Sequence, residues 1–163
     1  MAASDFPAYV AQGYEAGTYV DEFVPAQGTN EPWIVGDFVF ISTGESGEAE
    51  RCAADPTLIA GISETDSERH RLLTPSGKVP LRILTGASVV LHMASATQFA
   101  YATHVGNSYG ITRETNGHWR VDTAKTTTSS RVRVVGGDVA KNIWKVILHQ
   151  NLLQFADLTV ATS

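Results

Sequence analysis

Short apolar runs, several of them alternating with polar residues at a period of two, follow one another along this chain, and turn residues punctuate them at short intervals. That pattern predicts strands rather than helices. Strand candidates are Thr18–Val24, Trp33–Ser42, Glu50–Ala53, Leu58–Ser63, Val79–Leu84, Ser88–Ala94, Gln98–Val105, Arg131–Val135 and Ile143–Gln150. The last of these suits a helix face as well, and Asn142 with the Gly136-Gly137 turn favours the strand. Ile34 to Ile41 is too continuously apolar for a strand with one wet face, so Gly36 is expected to mark a bulge or turn. Glu64–Arg71 reads as a solvated loop, and Thr85-Gly86-Ala87 as a three-residue hairpin turn. Residues 1–17 show no sustained period and predict an extended N-terminal arm, poorly ordered by itself, ahead of a single β domain over 18–163.

The segment Tyr109–Asp122, YGITRETNGHWRVD, fixes its own register. A two-residue Asn116-Gly117 loop would set Arg113 opposite Arg120, and facing like charges are destabilising. A three-residue loop, Thr115-Asn116-Gly117, pairs Ile111 with Val121, Arg113 with Trp119 and Tyr109 with Thr123 on one face. It leaves Thr112/Arg120 and Glu114/His118 on the other. Only this register gives one buried face and one wet face, with Gly117 at positive φ. Strands of this length with glycine-centred turns predict a small β-barrel or β-tulip-like domain.

Composition narrows the function classes. The 163 residues include one cysteine, Cys52, so an intramolecular disulfide is excluded and a reducing compartment is expected. MAASDFPAYV has neither a basic region nor a long apolar run, which predicts no signal peptide, and no stretch approaches a transmembrane span. The net charge of −5 divides unevenly, with −11 over residues 1–66 and +6 over the remainder. Either the halves interleave and neutralise each other, or an acidic and a basic face result. The acidic balance and the dilute basic run Lys125–Arg133 argue against nucleic acid.

Catalytic patterns are present only as fragments. Gly106-Asn107-Ser108-Tyr109-Gly110 matches G-x-S-x-G, with Asp122, Asp138 and His149 following in the order of a triad. A nucleophile elbow needs a helix leaving the serine, whereas here a hairpin follows, so a glycine-flanked turn is expected. The five histidines lie far apart in sequence, the cysteine has no companion, and phosphate-binding and dinucleotide fingerprints are lacking. No catalytic residue, metal or cofactor is expected. The Trp33, Trp119 and Trp144 rings suggest a competing class, a barrel that binds a sugar or nucleobase.

The succession VGDFVFIS, LIAGIS, VPLRIL, YGITRETNGHWRVD and RVRVVGGD resembles the head decoration (cement) proteins of tailed bacteriophages, over about residues 15–148. Gly36-Asp37-Phe38-Val39, Leu58–Ile62 and Tyr109–Asp122 carry the resemblance. It implies a β-barrel or β-tulip domain with an N-terminal arm, no enzymatic activity, and assembly in the bacterial cytoplasm. The partner it implies is the major capsid protein, whose neighbouring subunits such a protein clamps on the exterior of the expanded capsid. Other virion-associated tail and neck proteins look similar. The expected assembly is a homotrimer, with a homodimer as the alternative, and no membrane is involved. Candidate interface residues are Tyr9, Tyr14, Tyr19, Trp33, Arg131 and Arg133.

Overall fold

The computed structural model describes residues 3–26, 32–43, 47–73, 75–86 and 89–156. Its strands are β1 (Tyr9–Val10), β2 (Thr18–Phe23), β3 (Phe38–Ile41), β4 (Ala49–Arg51), β5 (Gly61–Ser63), β6 (Val79–Leu84), β7 (Leu91–Ser95), β8 (Ser108–Arg113), β9 (Trp119–Asp122), β10 (Val132–Asp138) and β11 (Ile143–Leu148). They form two sheets. In the first, β7, β11, β10, β8 and β9 lie side by side, and a parallel pairing of β9 with β7 closes them into a five-stranded barrel. The second runs β2-β6-β5-β3-β4 and is antiparallel throughout. Its two edges approach where Ala26 N donates to Ala49 O and Ala49 N to Val24 O, both at 2.9 Å. The fold is therefore all-β with a small closed barrel.

Alternation accounts for the first barrel. Val132 and Val134 of β10, Trp144, Val146 and Leu148 of β11, and Trp119 and Val121 of β9 are buried, whereas Arg133, Val135 and Lys145 between them are exposed. The apolar run in β3 has a different cause. Val39 and Ile41 pack with Trp33, Ala60 and Leu81 inside the second sheet, while Phe38 joins the first barrel's core against Trp119, ring centroids 5.1 Å apart. A strand buried on both faces reads as continuous hydrophobicity. Gly36 lies in the turn before it at φ +82°, as its position in the run predicts.

The hairpin takes the three-residue loop. Ile111 pairs with Val121, Thr112 with Arg120 and Arg113 with Trp119, and Gly117 has φ +89°. Thr123 lies beyond the end of β9.

Other elements differ from expectation. Glu64–Arg71 is not all loop, because Ser67–Leu73 forms a short helix, α1, after Ser67 and Trp33 exchange hydrogen bonds of 3.0 Å. Gln98–Val105 is not a strand but holds one helical turn, α2 (Tyr101–His104). The closed barrel offers this segment no sheet edge, so its amides bond locally, His104 N to Ala100 O at 3.0 Å. Thr85-Gly86-Ala87 does not join a hairpin, since β6 and β7 belong to different sheets, and Thr85 N and Gly86 N donate instead to Gly17 O. Ala87 and Ser88 lie outside the described residues, as do residues 27–31 and 44–46.

The N-terminal segment is laid on its own domain rather than standing free. β1 pairs with β7, and Ala8 and Ala11 are buried. Asp5 accepts hydrogen bonds from Asn116 Nδ2 at 2.9 Å and His118 Nδ1 at 2.7 Å, and Arg120 approaches to 3.3 Å. The bond to His118 holds the Asp5 carboxyl below its ordinary pKa. A side chain on Gly36 would collide with Pro7 Cβ at 2.6 Å, so glycine at this turn is what lets the segment dock.

One buried carboxylate ties the sheets together. Asp37 is fully buried in the turn before β3, and Arg113 of β8 grips it with two bonds of 2.7 and 2.9 Å. Trp119 Nε1 donates to the same carboxylate at 2.8 Å and Ile34 N at 3.1 Å. With four donors its lone pairs are satisfied, which a buried charge requires. The hairpin register set Arg113 on the buried face; the tertiary fold supplies its counter-ion.

Candidate functional site

The sequence candidates separate into exposed and buried groups. Tyr9, Tyr14 and Tyr19 are 44%, 51% and 46% exposed, and Arg133 is exposed on β10. Tyr9 is held in place by its hydroxyl, 2.9 Å from His92 Nδ1. Trp33 is corrected as an interface candidate: it lies in the core of the second sheet, where no partner reaches it without unfolding. Arg131 is committed internally, its Nε donating to Pro56 O at 2.8 Å and its Nη2 lying 3.5 Å from Asp55. Trp119 and Trp144 are buried too, with Trp144 Nε1 donating to Asn142 Oδ1 at 3.1 Å, so the three indoles fill cores rather than line a ligand site.

The uneven charge resolves in two ways. Asp5, Asp37, Asp55 and Glu64 of the acidic segment pair with Arg120, Arg113, Arg131 and Arg82 of the basic one, so part of it interleaves. The rest stays apart. Asp21 and Glu22 on β2 and Glu48 and Glu50 at β4 lie on the second sheet, with Arg51 donating to Pro32 O nearby. Arg133 of β10 and Lys145 of β11, with Lys141 between the strands, lie on the first barrel. Among the described residues, no ion pair joins either set to an opposite charge.

Ser108 opens β8, so a strand and not a helix follows it, as expected of a glycine-flanked turn. The fold nevertheless brings His149 Nε2 to 3.3 Å from Ser108 Oγ, a proximity that sequence spacing did not reveal. Among the described residues no carboxylate bonds to His149 to orient it, unlike the third member of a triad. Burial, then Arg133 and Arg131, push its pKa down, which weakens it as a base.

His92 and His104 are also shifted down, chiefly by burial, with Lys145 adding to the effect on His92. The sign of the linkage follows. The unfolded chain takes up protons at these histidines near their ordinary pKa of about 6.5, while the folded chain resists them. Their contribution to stability is complete above that value and is lost as pH falls below it. The unfolding midpoint is therefore expected to drop between about pH 7.5 and about pH 5. Thermal melts across that window check this, and a midpoint that rises on acidification contradicts it.

A groove of about 520 Å³ lies between the N-terminal segment and the second sheet, lined by Phe6, Tyr9, Val35, Ile62, Glu64 and Arg82 among others. Among the described residues, no cluster of three or more His, Cys, Asp or Glu side chains is placed to hold a metal, and no helix is long and apolar enough to cross a membrane.

What fold and surface define together is an all-β domain with an exposed edge strand, segregated charge and exposed tyrosines. Comparison with protein-family models, with curated proteins and with solved structures finds no match for this chain.

Proposed function

We propose that this chain is a structural virion protein that binds the outside of an expanded phage capsid and clamps neighbouring major capsid subunits, without catalysis. The observation that carries the reading, beside the motif resemblance, is the exposed surface of the N-terminal segment and β2. Tyr9, Tyr14, Tyr19 and Val20 stand out there on a scaffold anchored by Asp37. Exposed aromatics suit a protein interface, and an edge strand can be extended by a partner's strand. Repetition over a capsid lattice makes a modest single-site affinity sufficient. A homotrimer suits such a lattice, and the capsid exterior is then its location. The resembling motifs also support this reading, because Gly36-Asp37 and the Tyr109–Asp122 hairpin meet at the buried ion pair and make the frame on which the surface is mounted.

Co-sedimentation with expanded capsids of the phage that encodes it is the test. Saturable binding to expanded capsids is expected, reduced at least about tenfold by Tyr14→Ala with Tyr19→Ala. Protein that stays in the supernatant at every concentration overturns the reading. The groove beside Phe6 and Tyr9 favours a second reading, a small-ligand or carbohydrate module, which glycan-array binding to that groove would support.

A further inference from the structure

We propose that two surfaces of this chain recognise each other: the acidic edge of β2 in one copy docks on the basic outer face of β10 and β11 in the next. The inference concerns the free protein in solution, where the β2 edge that the capsid reading assigns to the capsid is open to another copy.

β2 bonds along one side to β6, and among the described residues no strand covers its other side over Thr18–Phe23. Its middle four residues are exposed, although alternate side chains point to opposite faces. Tyr19 and Val20 give this edge an apolar centre, and Val24 just beyond it is 45% exposed. Such an edge invites pairing with another chain. Asp21 and Glu22, with Glu48 and Glu50 across the seam, determine with which. Two β2 edges meeting about a two-fold axis would set these carboxylates against their own copies. The surface therefore rejects itself and favours a basic partner.

The first barrel offers that partner. A register shift between Val134 and Gly136 breaks the β10–β11 ladder, and a groove of about 460 Å³ lies there, lined by Tyr14, Tyr101, Val135, Gly136, Lys145 and Ile147 among others. Tyr101 and Val135 are 59% and 43% exposed. Arg133 and Lys145 lie on the exposed face of the two strands and Lys141 in the turn that joins them, so an apolar centre is flanked by cations, the usual anatomy of an interface. Burial is the main cause that lowers the pKa of His92 and His149, and Lys145 near the first and Arg133 and Arg131 near the second lower them further. Both charge sets repel internally in the free chain and find their counter-ions only in another copy. A contact between two different surfaces runs head to tail, and a closed ring of copies leaves neither surface uncovered.

Sedimentation velocity of the full chain over a range of concentrations tests this. The wild type is expected to associate at low salt and to dissociate near 1 M salt, where screening shortens to about 3 Å. Asp21→Lys with Glu22→Lys, and separately Arg133→Glu with Lys145→Glu, are each expected to weaken association at least about 100-fold. These positions are exposed, so far-UV circular dichroism and the unfolding midpoint serve as the check on folding. The variant carrying all four reversals restores opposite charges across the contact and is expected to associate again. A monomeric wild type at every concentration overturns the proposal. So does undiminished association of either double variant, or a four-fold variant that stays monomeric while folded. Capsid binding by a monomer would leave the capsid reading standing and this one refuted.

Discussion

Asp37→Ala is expected to destabilise the fold by about 3–5 kcal/mol, because it removes the fully buried counter-ion of a guanidinium that is itself only 16% exposed. Arg113 loses both of its short bonds, and Trp119 Nε1 and Ile34 N lose their acceptor at the same time. These donors sit where the second sheet meets the barrel hairpin, so water cannot replace the carboxylate without opening that junction. For a domain of this size the loss corresponds to a fall in the unfolding midpoint of roughly 6–20 °C. Arg113→Met is expected to be damaging in the same sense, since it leaves the carboxylate with two neutral donors. The two changes combined should cost less than their sum, by about 0.5–3 kcal/mol, because an apolar pair leaves no unpaired charge. Chemical denaturation of the four proteins gives the cycle. A loss below about 1 kcal/mol for Asp37→Ala would remove the ion pair from its place as the junction's anchor.

Gly117→Ala is expected to cost about 2–4 kcal/mol, from backbone strain and steric overlap acting together. Its φ of +89° already disfavours any side chain. A Cβ would also meet Ile34 Cδ1 at 2.6 Å and Arg113 Nη2 at 2.9 Å, and that guanidinium is not free to move because it is bonded to Asp37. Gly13 supplies the control. Its φ of +86° is nearly the same, but a Cβ there meets nothing within 4 Å, so Gly13→Ala should show the strain alone, about 1 kcal/mol. Equal losses for the two variants would refute the steric part, and with it the tight seat of the hairpin loop against the Ile34–Asp37 turn.

Several features were legible because they are local. The hairpin register followed from facing charges and one glycine, and Arg131–Val135 and Ile143–Gln150 were legible as strand candidates, the latter with a helix as the alternative. Of the residues chosen as interface candidates, Tyr9, Tyr14, Tyr19 and Arg133 are exposed. Trp33 was not recognisable as core, since an indole has the same composition whether it fills a core or an interface, and its burial depends on β3, β4 and β6 packing around it. The helical turn Tyr101–His104 escaped because its apolar pattern fits a strand as well, and only barrel closure denies it an edge.

The sequence by itself determined the all-β class, the hairpin and the imbalance of charge along the chain, because each depends on neighbours within a few residues. Tertiary structure decided everything that joins distant segments. It chose which charges neutralise, matching Asp37 with Arg113 and Asp5 with Arg120, and which remain as opposed surfaces on β2 and on β10–β11. It laid the N-terminal segment against Gly36 and β7, and it brought Ser108 to His149 without a carboxylate. The physical reason is range. Periodicity and turn chemistry act along the backbone, whereas ion pairs and burial act through space, and their partners exist only once the two sheets have closed on each other.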